Sequence, residues 1–134
     1  MVGNSTEQHP SQLRAYVDSE SAEIMGNPAG LATLVDAARR GTGELHLDEP
    51  TFFGRGVSAM ATIEINACEG LIVVSSVGDV LRIEGSLDRL QTVIAGGVAN
   101  MLRAPTGTFK TIHLDARLWQ GFATSSLNLV IFKE

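Results

Sequence analysis

Two histidine–aspartate pairs are the residues of this chain best suited to chemistry. They lie in two His-Leu-Asp triplets, where His46 pairs with Asp48 and His113 with Asp115. On a strand, residues two apart point to the same face, with their Cα atoms about 7 Å apart. An imidazole beside a carboxylate can be an oriented general base or half of a metal site. The alternative is structural: each histidine donates a hydrogen bond that ties its strand to the following loop. Because no strong metal spacing is present, we expect the structural role, without metal or cofactor.

Aromatic side chains form the second candidate site. The chain has five Phe, one Tyr and one Trp, and four of these seven lie in the loops that follow the triplets. Each loop also holds an arginine, and aromatics with Arg are enriched at interface hot spots. Two interpretations stay open: the rings plug the ends of a core that is poor in large side chains, or they contact a partner. The residues are Phe52, Phe53 and Arg55 in the first loop, and Arg117, Trp119 and Phe122 in the second.

Composition excludes several function classes. The 134 residues carry a net charge of −5, which argues against a general nucleic-acid or anionic-membrane surface. The single cysteine, Cys68, excludes an intramolecular disulfide and a cysteine-rich zinc site, and it favours a reducing compartment. Residues 1–12 are polar and predict a disordered tail rather than a secretory signal. The sequence lacks a Gly-x-Ser-x-Gly elbow and a phosphate loop followed by a helix, so we expect no enzyme.

The elements that must position these residues follow from apolar spacing. A first helix is predicted from the Asn27 cap to the Gly41 stop, and a second from the Ser86 cap to Pro105. In the first helix, apolar residues recur at the i, i+3, i+4, i+7 spacing of one buried stripe. Alternating or continuous apolar runs predict strands at 13–17, 22–25, 44–48, 59–67, 71–77, 80–84, 109–115 and 127–132.

The chain also matches itself. Residues around the first helix match those around the second at an offset of 59, the triplets match at 67, and the strands after the loops match at 66. Coincidence among short apolar segments is the alternative, but matching caps and strands favour duplication. We predict two β-β-α-β-β repeats, 13–67 and 71–134, in one compact domain. The fold class is then α+β, with helices laid on a mostly antiparallel sheet in two layers and a pseudo-twofold axis.

The motifs together resemble a known family. They are Gly26 to Leu34 followed by His46 to Asp48, and then Gly85 to Val93, His113 to Asp115 and Ser126 to Ile131. This pattern resembles the small immunity proteins of bacterial polymorphic toxin systems, immunity protein family thirty-two, with the unit duplicated. The resemblance covers most of the chain beyond residue 12. It implies a cytoplasmic antidote that binds and neutralises a cognate toxin.

Three functions therefore compete. The favoured one is a non-catalytic protein-binding antidote whose partner is a toxin, with no nucleic acid or membrane involved. The second is a small metal-dependent or general-base enzyme that uses the His-x-Asp pairs. The third is a dimeric ligand-binding scaffold, because Val130 and Phe132 leave the last strand apolar on both faces, as do Leu71 and Val73 in an earlier strand.

Overall fold

A computed structural model describes residues 11–49, 56–104, 111–114, 122–123 and 125–134. In the first half of the chain, the first helix has the predicted ends. The Asn27 side chain accepts a hydrogen bond from the Gly30 N–H at 2.8 Å, and Gly41 closes the helix at φ 73°. The elements are β1 (Leu13–Val17), β2 (Ser21–Gly26), α1 (Pro28–Arg40), β3 (Thr42–His46), β4 (Ser58–Ala59) and β5 (Thr62–Ala67).

The described residues of the second half form four strands and one long helix. Its helix, α2, has three consecutive segments: an α-helical turn (Leu87–Arg89), a π-helical segment (Leu90–Ala95) and an α-helical segment (Gly96–Arg103). The predicted Ser86 cap is confirmed, because its hydroxyl accepts a hydrogen bond from the Arg89 N–H. The widened π segment was not predicted, since apolar spacing reports a buried face and not the pitch. The strands are β6 (Val73–Val77), β7 (Val80–Gly85), β8 (Thr111–Leu114) and β9 (Asn128–Lys133).

Three strand predictions need correction. The predicted strand 71–77 begins at Val73, and Ile72 before it forms an isolated bridge. The third strand is 42–46, two residues earlier than the predicted 44–48, because it begins directly after the Gly41 cap. The predicted strand 59–67 is two strands, β4 and β5, which pair in different sheets. The chain crosses between the sheets at Met60 and Ala61, which periodicity alone does not signal.

Strands from both halves share each of two sheets. Sheet A has the order β4-β1-β2-β9-β8, and sheet B has the order β3-β5-β7-β6. At the centre of each sheet a strand of the first half runs parallel to one of the second, β2 with β9 and β5 with β7. The other pairings are antiparallel. The α+β class with mostly antiparallel sheets and helices packed on them is therefore confirmed.

The registers of the two parallel strand pairs agree with the predicted repeat. In the parallel pairs, Ser21 lies opposite Asn128 and Thr62 lies opposite Val80. The offset of 59 carries Ser21 to Val80, and the offset of 66 carries Thr62 to Asn128, so these two registers agree with the repeat. The duplication and its twofold axis remain predictions.

The two triplets do not occupy matching places. His46 lies opposite Thr62, so the offset of 66 would place His113 opposite Asn128. Instead His113 lies opposite Val130, two residues further along β9. The shared His-Leu-Asp letters therefore do not mark the same position on the two sheets.

The buried side chains of both sheets and both helices form one cluster. It is built mainly from aliphatic residues, as the low aromatic share predicts, and Phe122 is also part of it. Among the described residues, neither helix combines the length and hydropathy that crossing a bilayer requires. The largest fully buried side chains are Ile24, Leu31, Leu34, Ile63, Ile65, Ile72, Leu81, Ile83, Leu90, Ile94, Met101 and Leu114.

Candidate functional site

Four of the ten predicted site residues lie in the described part of the chain: His46, Asp48, His113 and Phe122. The other six lie outside it, and they are Phe52, Phe53, Arg55, Asp115, Arg117 and Trp119.

Phe122 belongs to the core. It is 3% exposed, forms a parallel bridge with Ile72, and is followed by Ala123, whose N–H donates to the Ile72 carbonyl at 2.9 Å. Burial of this side chain favours a packing role for Phe122, and its partner role stays a prediction. The alternative, that the loop aromatics fill the ends of the core, describes this residue.

The two histidines lie at the edges of different sheets. His46 is on β3, at one edge of sheet B, and His113 is on β8, at one edge of sheet A; both are exposed. The His46 Nε2 lies 3.6 Å from Glu44 Oε1, and both side chains face solvent, at 81% and 61% exposure. Within the described ranges, no three His, Cys, Asp or Glu side chains are grouped as a metal site would need.

Asp48 has the structural role that was expected of the histidine. Its Oδ2 accepts a hydrogen bond from the Leu13 N–H at 2.7 Å, and its own N–H donates to the Leu13 carbonyl at 2.9 Å. This reciprocal pair ties the chain after β3 to the start of β1. The same segment is held from its other side by Asn27, which accepts the Gln12 N–H at 3.0 Å.

Among the described residues, no strand pairs with the outer edge of β3. Bonds at both ends fix which residues pair with β5: the Leu47 N–H donates to the Ala61 carbonyl, and the Gly41 carbonyl accepts from Ala67. In an antiparallel ladder, bonded and non-bonded pairs alternate, so the odd-numbered residues of β3 are bonded to β5. The N–H and C=O groups of Thr42, Glu44 and His46 therefore point away from the sheet.

A small cavity lies beside this edge. Its volume is about 200 Å³, below the roughly 300–1,000 Å³ of pockets that enclose drug-sized ligands. It accommodates a side chain better than a cofactor. The lining residues are Ser11, Leu13, Thr33, Glu44, Leu45, His46 and Asp48.

The outer face of sheet B is acidic next to the edge. Glu44 lies opposite Glu64, and Glu64 lies opposite Arg82. Glu64 Oε1 accepts from Arg82 Nε at 3.1 Å and from Asn66 Nδ2 at 2.9 Å, so this carboxylate is paired. Within the described ranges, the ion pair of Glu44 is with His46, at 3.6 Å, and the Glu44 side chain places an exposed negative charge at the edge.

Sheet A differs from sheet B on its outer face. Met25, Val130 and Phe132 lie there, with Met25 directly opposite Phe132, and all three are half-buried. The doubly apolar last strand expected from the sequence therefore contributes to the core with one face and to a partly covered surface with the other.

Sequence reasoning identified His46 and Asp48 but missed the open edge between them and Gly41. A signal was present: Thr42, Glu44 and His46 alternate with less polar residues, and charge on a strand is how proteins protect an exposed edge. No family model, curated protein or solved structure matches the chain.

Proposed function

We propose that this protein acts by binding another protein, as an antidote that occupies and neutralises a cognate toxin. The observation that supports this most is the β3 side of sheet B, where an exposed carboxylate, an exposed imidazole and outward-facing backbone groups lie together. The resemblance to immunity proteins supplies the kind of partner. The net charge of −5 favours a partner whose contacting surface is positively charged, since an acidic surface steers a basic partner.

The arrangement favours binding over bond-making because its polar groups are already committed to the fold or exposed to water. Asp48 Oδ2 accepts the Leu13 N–H, and the carboxylate that lies 3.6 Å from the His46 imidazole is that of Glu44. The described contacts therefore do not place Asp48 as the partner that would orient His46 as a general base. His46 and Glu44 are both exposed, and a charge pair at such a site contributes little to stability. Exposed charges of this kind instead set the on-rate and the selectivity of association.

The test is coexpression with the product of the neighbouring gene. We expect the chain to restore growth when that product is toxic, and to elute with it as one complex on a sizing column. Growth arrest in the presence of the chain, together with separate elution of the two proteins, would contradict the proposal. The variant Glu44→Lys reverses the charge at the edge of β3. Its control is Glu20→Lys, which reverses a charge in the exposed turn between β1 and β2.

The aromatic loops predicted from the sequence give a second surface to compare. If Trp119 or Arg117 is a hot spot, its replacement by Ala weakens the complex by about 2 kcal/mol or more. Titration calorimetry of Glu44→Lys, Trp119→Ala and Arg117→Ala against the same toxin ranks the two surfaces. Unchanged affinity in all three variants would exclude both as the principal contact.

A further inference from the structure

We infer that β3 receives an extended strand of the partner, which adds to sheet B as a fifth strand and carries basic side chains on the outer face. This inference rests on the proposed function and names the mode of contact. Three residues, Thr42, Glu44 and His46, each offer one N–H and one C=O along the edge. Main-chain bonds of this kind provide affinity in strand addition, and alternate side chains provide specificity.

Among the described edge strands, β3 has the most residues whose backbone N–H and C=O groups point outward. On β6, the other edge of sheet B, the Val74 N–H donates to Ser126 Oγ and the Val74 carbonyl accepts from Leu127, which leaves Ser76 as the open position. At the edges of sheet A, β4 has two residues and β8 has four. Since outward groups alternate along a strand, those edges offer at most one and two such residues.

The ends of the open stretch limit where a strand can lie. At one end Asp48 uses both its N–H and its carboxylate on Leu13, so an added strand stops there. At the other end Gly41, in a left-handed conformation, joins the end of α1 to the start of β3. An incoming strand is therefore centred on Glu44.

The charge at this centre selects the occupant. If a second copy of the chain paired antiparallel about the middle of β3, Glu44 would face Glu44, and like charges placed directly opposite are destabilising. A basic residue opposite Glu44 forms an attractive cross-strand pair instead. The residues on either side of it point to the opposite face, where the cavity has room for small side chains against Leu13 and Leu45, beside the polar Ser11 and Thr33.

The probe is a short fluorescein-labelled peptide in which lysine alternates with valine, titrated into the full chain by fluorescence anisotropy. We expect binding that weakens with added salt, and no binding of the matching glutamate–valine peptide. Methylation of the alternate peptide nitrogens that face β3 removes their N–H donors, and we expect it to weaken binding by about tenfold or more. This arm uses the unaltered protein, so it does not depend on the folding of a variant.

Protein variants provide the matched pair. Glu44→Pro and Ser76→Pro each place a proline where the N–H points outward, which edge strands tolerate. We expect Glu44→Pro to weaken peptide binding by about tenfold or more and Ser76→Pro to leave it within about twofold. Amide hydrogen exchange should slow at Thr42, Glu44 and His46 when the peptide binds, while Leu45, already bonded to β5, changes little.

Several results would overturn the inference. They are no binding of the lysine–valine peptide, equal binding of its N-methylated form, equal loss in both proline variants, or a concentration-dependent dimer by light scattering that Glu44→Pro dissolves. The proposed function has a separate failure, in which the unaltered chain does not bind the neighbouring gene's product. If Glu44→Pro binds that product as the unaltered chain does, the strand inference fails while the antidote function stands.

Discussion

The two halves of the molecule begin their helices on the same local plan. In each, a strand ends at a glycine and a capping residue follows, Gly26 with Asn27 and Gly85 with Ser86. Neither glycine has room for a side chain. A Cβ at Gly26 would lie 2.9 Å from the Gln12 carbonyl oxygen, and one at Gly85 would lie 3.0 Å from the Ile72 Cα. Each strand end is therefore pressed against the chain that starts its own half.

Beyond the cap, the halves differ. A Cβ at Gly30 would lie 1.9 Å from the Gln12 carbonyl oxygen, so backbone crosses directly over the start of α1. The residue 59 positions later is Arg89, whose guanidinium donates to the Gly70 carbonyl and to Ser86 Oγ, both at 3.3 Å. The first half is closed by backbone contact and the second by a long side chain. The shared pattern of a glycine followed by a capping residue therefore does not predict how the segment before each helix packs against it.

The largest expected difference between the halves is at this position. Gly30→Ala forces backbone apart and should lower the free energy of unfolding by about 3 kcal/mol, whereas Arg89→Ala loses partly exposed hydrogen bonds and should cost less than about 1 kcal/mol. Urea unfolding followed by circular dichroism measures both.

Gly96 is the control for this comparison, because a Cβ there meets only the Gln91 carbonyl oxygen, at an ordinary 3.5 Å. Gly96→Ala should raise the stability by roughly 0.5–1 kcal/mol, the usual gain for alanine over glycine within a helix. If Gly30→Ala were also stabilising, the close crossing of Gln12 over α1 would be wrong.

The two caps should differ by a smaller amount. Asn27 accepts two backbone N–H groups, from Gly30 at 2.8 Å and from Gln12 at 3.0 Å, whereas Ser86 accepts one backbone N–H, from Arg89, at 3.3 Å. We expect Asn27→Ala to cost about 2 kcal/mol and Ser86→Ala about 0.5–1 kcal/mol. Thermal unfolding of the two variants checks the order. Equal losses would mean that the bond to Gln12 contributes nothing.

The smallest expected effect lies in the turns that open each half. The N–H groups of Glu20 and Ser21 donate to the Asp18 carboxylate and hold its pKa below the ordinary 3.8. A carboxyl whose pKa is lower in the folded state stabilises the fold above the unfolded pKa, and this contribution is lost as the pH falls through the folded pKa. Because Asp18 is exposed, we expect only a slight fall in the unfolding midpoint below about pH 3.8.

Substitution tests this assignment against the equivalent turn. Asp18→Asn should remove that part of the acid dependence. Asp79→Asn, in the turn between β6 and β7, is the control, because Asp79 contributes its backbone carbonyl, which accepts from Ala61 and Thr62. If the unfolding midpoint of Asp18→Asn fell at low pH as it does in the unaltered chain, the turn would not depend on the ionised carboxylate.

Most local elements could be predicted because their signals are local. Asn27 and Pro28 mark the start of α1 and Gly41 its end, and apolar alternation places β1, β2 and β7 within one residue of their observed ends. The candidate site was predicted only in part. His46 and Asp48 were identified as a pair on one face, but whether Asp48 orients a histidine or holds Leu13 depends on residues 35 positions away.

By itself, the sequence determined the class of fold, the two capped helices and an aliphatic core, because propensity, capping and apolar spacing act between near neighbours. The tertiary structure alone decided that strands of the two halves are interleaved in both sheets, that Phe122 is buried and that β3 is left as an edge. Those outcomes come from pairings between distant segments. Their free energy depends on the whole packed core, and no short stretch of residues encodes it.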